Sequence, residues 1–197
     1  MQAIAFCPGH ITGFFKAEVG QERPELQGSL GAGFCIKEGV TTSVKVTSSE
    51  KPSFKIKVIG YPTDNTQVSE FVINEFFNLV KENVFVDVEH HIAIPVGYGL
   101  GSSGAVALSL AFALNKALKT NLTRTQVGQI AHNAEIYCKT GLGTVLSSYY
   151  GGFEIRTKHG APGIGSLKKI SNNSSVILIC FSPISTKKFL KNELQRV

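Results

Sequence analysis

The sequence is poor in charge, sparing with cysteine and without a long apolar run. Charged residues make up 17% of its 197 positions, against 43% hydrophobic ones. That lacks the charge excess of a disordered chain and predicts a packed domain, with room for two lobes. Cys7, Cys35, Cys138 and Cys180 are scattered with no CxxC spacing, which argues against a zinc site or a redox pair and leaves them as small buried hydrophobes. No apolar stretch reaches the ~18 residues a membrane helix needs, and MQAIAFCPGH has no basic segment leading into an apolar one. The expectation is a cytoplasmic protein with no membrane partner. The net charge is +6, but no run of Lys and Arg is interleaved with aromatics, so no nucleic-acid partner is expected either.

What is present is a mixture of strand and helix patterns. β-rich runs bounded by turn residues lie at Gly33 to Ile36, Thr41 to Thr47, Phe54 to Ile59, Val84 to Ile94 and Val176 to Phe181. Helical spacing runs over Val68 to Lys81, Gly104 to Leu118 and Thr125 to Lys139. Strands first, then strands mixed with helices, predict an α+β fold rather than a regular βαβ repeat. His90 and His91 are neighbours on a strand and point to opposite faces, so they form no paired metal site.

Between the strand ending before Pro95 and the helix from Gly104 lies PVGYGLGSSG, with Gly97, Gly99, Gly101 and the pair Ser102 and Ser103. A glycine-rich turn at a helix start offers unpaired N–H groups and the positive end of a dipole, a combination suited to phosphate. A Walker A loop would need a lysine that is missing here. The spacing Gly99, Gly101, Gly104 fits GxGxxG, yet no acid follows at the distance a dinucleotide ribose requires, because Glu135 is the only carboxylate between His90 and Phe153. Glu135 sits at the edge of an apolar helix stripe opened by Thr123 and Gln126 in a capping-box pattern. A carboxylate there is costly unless paired or bound to a metal, and magnesium takes hard oxygen ligands.

The turn, with Pro95, Gly97, Gly99, Leu100, Gly101, Ser102, Ser103 and Gly104, resembles the ATP loop of the galactokinase, homoserine kinase, mevalonate kinase and phosphomevalonate kinase (GHMP) superfamily. CPGHITGFF, GSLGAGFCI, PVGYGLGSSGAVAL, GLGTVLSSYYGGFEIR and GAPGIGSLKKI resemble, in that order, the archaeal pantoate kinases of coenzyme A biosynthesis. The resemblance implies an N-terminal ATP-binding domain over residues 1–181. Residues 182–197 would begin a helix leading to a C-terminal lobe that this sequence lacks. The implied reaction moves the γ-phosphoryl of ATP to the hydroxyl of pantoate, with Ser103 and Glu135 holding Mg2+ and catalysis resting on positioning. Two alternatives stay open: a kinase for another small hydroxy acid, and a nucleotide-binding relative that has lost transfer. His10, Thr12 and Arg156 are the implied contacts for a substrate carboxylate, Arg156 because its guanidinium fork fits that group. Gly151 and Gly152 would bring backbone close to substrate. Beyond the small molecule, a homodimer is left open. In one place the chain departs from the pattern: the family generally has an aspartate seven residues before that Gly-Gly pair, and here the position is Thr144. Homoserine kinases also lack the acid yet transfer phosphate, so slow or conditional activity is expected.

Overall fold

A computed structural model describes residues 1–183 other than Pro62. Its centre is one strand, β2 (Gly28–Ser48), which β1 (Gln2–Glu18) follows antiparallel along nearly its whole length. The later half of β2 pairs with β4 (Val84–Ile92) and the earlier half with β5 (Phe153–Lys158), both antiparallel. β3 (Ser53–Gly60) lies parallel to β4, and β6 (Ser166–Ile170) closes the far edge against β5. The sheet order is β3-β4-β2-β5-β6, with β1 on β2. The parallel pair is joined through α1 (Gln67–Phe77), the single crossover between parallel strands among the described residues, in an α+β arrangement.

The helices share one face of this sheet. In β4 the alternation is complete: Val86, Val88, His90 and Ile92 point inward, while Asp87, Glu89 and His91 point to solvent. Upon that face lies α2 (Ser102–Leu118), which touches β1 and β2 and is surrounded by α1, α3 (Arg124–Cys138) and α4 (Thr144–Tyr150). Ala105, Ala107, Ala111, Ala113 and Ala117 are fully or almost fully buried, as befits a helix enclosed on most sides. Their small side chains let neighbouring backbones approach. Burial of Leu108, Leu110 and Leu114 beside Val72, Ile73 and Phe76 of α1 makes the core continuous. Thr123 and Gln126 form the capping box expected from the sequence.

Several expected boundaries shift. The runs read separately at Gly33 to Ile36 and Thr41 to Thr47 belong to the single strand β2; the Lys37-Glu38-Gly39 stretch that looks like a turn is strand. Gly39 is required by space, because a Cβ there would stand 2.1 Å from the Cys7 carbonyl oxygen of β1. β1 itself carries Pro8 and two glycines and reads poorly as a strand. An edge position with register shifts at Pro8/His10 and Thr12/Phe14 tolerates them. α1 ends at Phe77 rather than Lys81, and α4, β5 and β6 had no separate expectation. Val176 to Phe181 form no strand: this segment is irregular, and Ile177 and Phe181 are 89% and 91% exposed. Its apolar, β-rich composition finds no strand partner among the described residues. The helix expected over 182–197 lies outside the described residues except Ser182 and Pro183, which are not helical. Among the described residues no helix is long and apolar enough to cross a membrane.

Candidate active site

The glycine-rich turn sits where β1, α2 and the loop before α4 converge. Gly97, Gly99 and Gly101 all have positive φ, at 85°, 73° and 67°, and Gly101 is the residue that caps α2. Side chains other than glycine are strained there, so the run of glycines follows from the backbone path. The turn is anchored from behind by the His10 N–H, which donates to the Leu100 carbonyl at 3.0 Å. A β1 irregularity and the turn are thus one unit.

Two cavities flank the turn and share Gly97, Ser102, Ser103 and Thr140. The larger, about 510 Å³, is lined by the turn, by Thr12, Phe14 and Phe15 of β1, by Ser29, by Gly141 to Thr144 and by Arg156. The smaller, about 240 Å³, lies between α1, β4 and the start of α2, with Val58, Val68, Ser69, His90, Ile92 and Val106 in its walls.

Glu135 stands behind the wall common to both cavities. It is 2% exposed, and its Oε1 accepts from Ser103 Oγ at 2.5 Å and from Thr140 Oγ1 at 2.8 Å. Burial pushes its carboxyl above the usual carboxylate range, against the two hydroxyl bonds that pull it down. No cationic side chain pairs with it among the described residues. Gly141 is required beside it, since a Cβ at that position would stand 2.0 Å from Glu135 Oε2. Among the described residues no group of three His, Cys, Asp or Glu side chains could hold a metal alone. A buried carboxylate with two hydroxyls and no counter-charge nevertheless fits a hard cation that brings oxygen ligands of its own.

On the other side of the larger cavity lies a buried charged cluster. Arg156 Nη1 donates to Glu154 Oε1 at 2.5 Å and to Ser147 Oγ at 2.8 Å; Ser147 Oγ is 2.8 Å and His10 Nε2 3.3 Å from the same Glu154 oxygen. Burial alone would raise the Glu154 carboxyl, but His10, Ser147 and Arg156 outweigh it and hold the group below its usual range. Arg156 Nε and Glu154 Oε2 are buried without a hydrogen-bond partner among the described residues. A Cβ at Gly143 would meet Ser29 Oγ at 2.3 Å and Arg156 Nε at 3.0 Å, so glycine keeps open the space both groups border.

Of the residues singled out in the sequence, Gly97, Gly99, Leu100, Gly101, Ser102, Ser103, Thr12, Thr144 and Arg156 line the larger cavity. Gly104 lies one step inward, facing Glu135 and Thr144. His10 is 1% exposed and outside the cavity lining; it reaches the cavity through Thr12, whose Oγ1 is 3.4 Å from His10 Nδ1. Pro95, Gly151 and Gly152 also lie outside the lining, the two glycines forming the turn from α4 into β5. Ser29, Thr140 and Glu154 were not anticipated. GSLGAGFCI contains Ser29, but nothing in that string marks a hydroxyl aimed at a site contributed by distant elements.

The comparisons place this α+β architecture in a family. The profile of the GHMP kinases N terminal domain matches residues 68–152, and the chain belongs to the GHMP kinases. Within them it is similar to the pantoate kinase of Methanospirillum hungatei, 31% identical over 97% of this chain, and to that of Thermococcus kodakarensis, 32% identical over 96%. A solved phosphotransferase related to the CoA biosynthesis pathway superposes with a TM-score of 0.78 at 34% identity, covering 87% of this chain and 58% of its own. The chain spans 64% and 63% of the lengths of the two pantoate kinases.

Proposed function

We propose that this chain supplies the nucleotide lobe for transfer of the ATP γ-phosphoryl group to the hydroxyl of pantoate, giving 4-phosphopantoate. The observation that carries the reading is the joint placement of the glycine turn, the buried Glu135 tied to Ser103, and Arg156 across a single cavity. The triphosphate would lie on the turn, where backbone N–H groups of the α2 start meet it. The base would occupy the smaller cavity, which shares Ser102 and Ser103 with the larger. Glu135 and Ser103 would hold Mg2+, which when bound neutralises phosphate charge. Thr12, Ser29 and Arg156 would orient the substrate carboxylate, with Arg156 Nε the unspent buried donor. His10 then acts as a positioning residue through Thr12 and Glu154.

In the transfer itself the bond from the γ-phosphorus to the β,γ-bridging oxygen breaks as a bond to the pantoate oxygen forms. The hydroxyl proton would leave with no side-chain base, because no carboxylate or imidazole among the described residues lines the larger cavity. It passes to phosphoryl oxygens or solvent, and a loose transition state tolerates this. That same absence favours a second reading, a nucleotide-binding relative without transfer. Mass-spectrometric detection of phosphopantoate after incubation of the full chain with Mg-ATP and pantoate separates the two. Product that disappears in Glu135→Gln supports the kinase; nucleotide binding with no product under any condition supports the second reading.

A further inference from the structure

Six described hydroxyl side chains border the larger cavity, and three of them are engaged. Ser103 and Thr140 donate to Glu135, and Thr12 contacts His10. Of the other three, Ser29 is 3% exposed behind Gly143, and Ser102 borders both cavities. Thr144 differs from both. It is half-buried, its Oγ1 has no hydrogen-bond partner among the described residues, and it borders the larger cavity but not the smaller. It also reaches the glycine turn, since a Cβ on Gly101 or Gly104 would stand 2.6 or 3.0 Å from its Cγ2. With the methyl spent on the start of α2, the hydroxyl is the part of this side chain left for the cavity.

We propose that Thr144 is itself a phosphoryl acceptor, so that with ATP bound and no substrate hydroxyl in place the chain phosphorylates its own Thr144 Oγ1. This rests on the reading that the triphosphate lies on the turn with its base in the smaller cavity. In-line displacement then puts the leaving β,γ-bridging oxygen toward the smaller cavity and the acceptor on the opposite side. Thr144 borders that side, whereas Ser102 lies at the wall common to both cavities. The bond from the γ-phosphorus to the bridging oxygen breaks, the bond from that phosphorus to Thr144 Oγ1 forms, and ADP leaves with the electron pair. The hydroxyl proton passes to phosphoryl oxygens or solvent. Without a base the step is slow, but a single event per chain leaves a lasting mark. Phosphothreonine carries about −1.5 to −2 charges at neutral pH. Arg156 Nε is the counter-charge at hand, a buried donor without a partner that a Cβ on Gly143, the residue before Thr144, would meet at 3.0 Å. A dianion held there takes the place of the terminal phosphate and of the substrate carboxylate, and shortage of substrate thereby switches the lobe off.

The full chain is incubated with Mg-ATP alone and followed by intact-mass spectrometry with peptide mapping, beside calorimetric binding of Mg-ATP and inorganic tripolyphosphate. The expected product carries one phosphoryl group, on Thr144. Thr144→Ser should keep the modification and Thr144→Val should lose it, with Mg-ATP binding by the valine variant verifying that it is folded. Its rate should be independent of chain concentration, because transfer is within one molecule, and added pantoate should slow it by supplying a competing hydroxyl. The modified chain should bind tripolyphosphate on the order of tenfold more weakly than the parent. Phosphate on another residue, a rate that rises with chain concentration, or no phosphate on a parent that binds Mg-ATP overturns the self-modification and leaves the phosphate turn standing. A parent that binds neither Mg-ATP nor tripolyphosphate removes the reading of the turn, and the self-modification with it.

Discussion

At the residue scale the most consequential position is Thr144, at the first turn of α4. Its methyl group packs toward the start of α2: a Cβ on Gly101 would stand 2.6 Å, and one on Gly104 3.0 Å, from Thr144 Cγ2. It lines the larger cavity, and threonine cannot take a proton from a substrate hydroxyl at neutral pH. Under the proposed reaction, Thr144→Asp in the full chain should raise pantoate turnover by up to the ~10² to 10⁴-fold typical of general-base catalysis, with ATP affinity little changed. The variant should fold, because an acid in the first turn of a helix is favourable by about 0.3 to 1 kcal/mol. Unchanged turnover in a parent that is already fast would place the chemistry in direct transfer without a base. Glu135→Gln is the companion test: it should weaken Mg-ATP far more than metal-free ATP in calorimetry, whereas equal losses would mark Glu135 as structural. Glu135 could be singled out in the sequence because it is a lone acid in a long neutral stretch. Ser29, Thr140 and Glu154 could not, since each matters through partners more than a hundred positions away or through a loop whose path the sequence leaves open.

At the scale of elements, the phosphate turn depends on how β1 bends against β2. The two strands touch so closely at Gly39 that no side chain fits between it and Cys7. The same stretch of β1 delivers the His10 N–H to Leu100. Gly39→Ala should therefore destabilise the fold by about 1 to 3 kcal/mol, as overpacking does, and displace the turn as well. Chemical denaturation and nucleotide binding measured together check this: stability lost with nucleotide affinity intact would uncouple the strand from the turn. The helices α2 and α3 were legible because their spacing and the Thr123 cap are local signals. β1 was not, since Pro8 and the glycines that look like strand breakers are what a bent edge strand requires. The opposite failure occurred at Val176 to Phe181, where strand-like composition has no pairing partner among the described residues.

For the whole molecule, two buried histidines and one buried acid set opposing dependences on pH. His90 and His132 are each lowered by burial from 6.5 to about 4, and His132 is only partly compensated by backbone contacts at Gln27 and Pro24 and by Glu25. Between those values the unfolded chain binds protons the native chain refuses, so stability is full above about 6.5 and is lost as the pH falls toward 4. At about 1.4 kcal/mol per unit, each histidine withholds about 3 kcal/mol by the bottom of that window. Glu135 works the other way: its raised pKa means the native chain holds a proton the unfolded one releases, and stability is lost as the pH rises through that value. The two terms partly mask each other in the parent. In Glu135→Gln, free of added metal, the opposing term is gone, and stability by denaturant titration should fall steeply from pH 6.5 to 4. Adding His132→Gln, whose amide can still donate to the Gln27 carbonyl as His132 Nε2 does at 3.0 Å, should take away about half of that slope. A slope unchanged by the second substitution would mean that His132 is hydrated in solution and that the acid sensitivity resides in His90 and the Glu154 cluster.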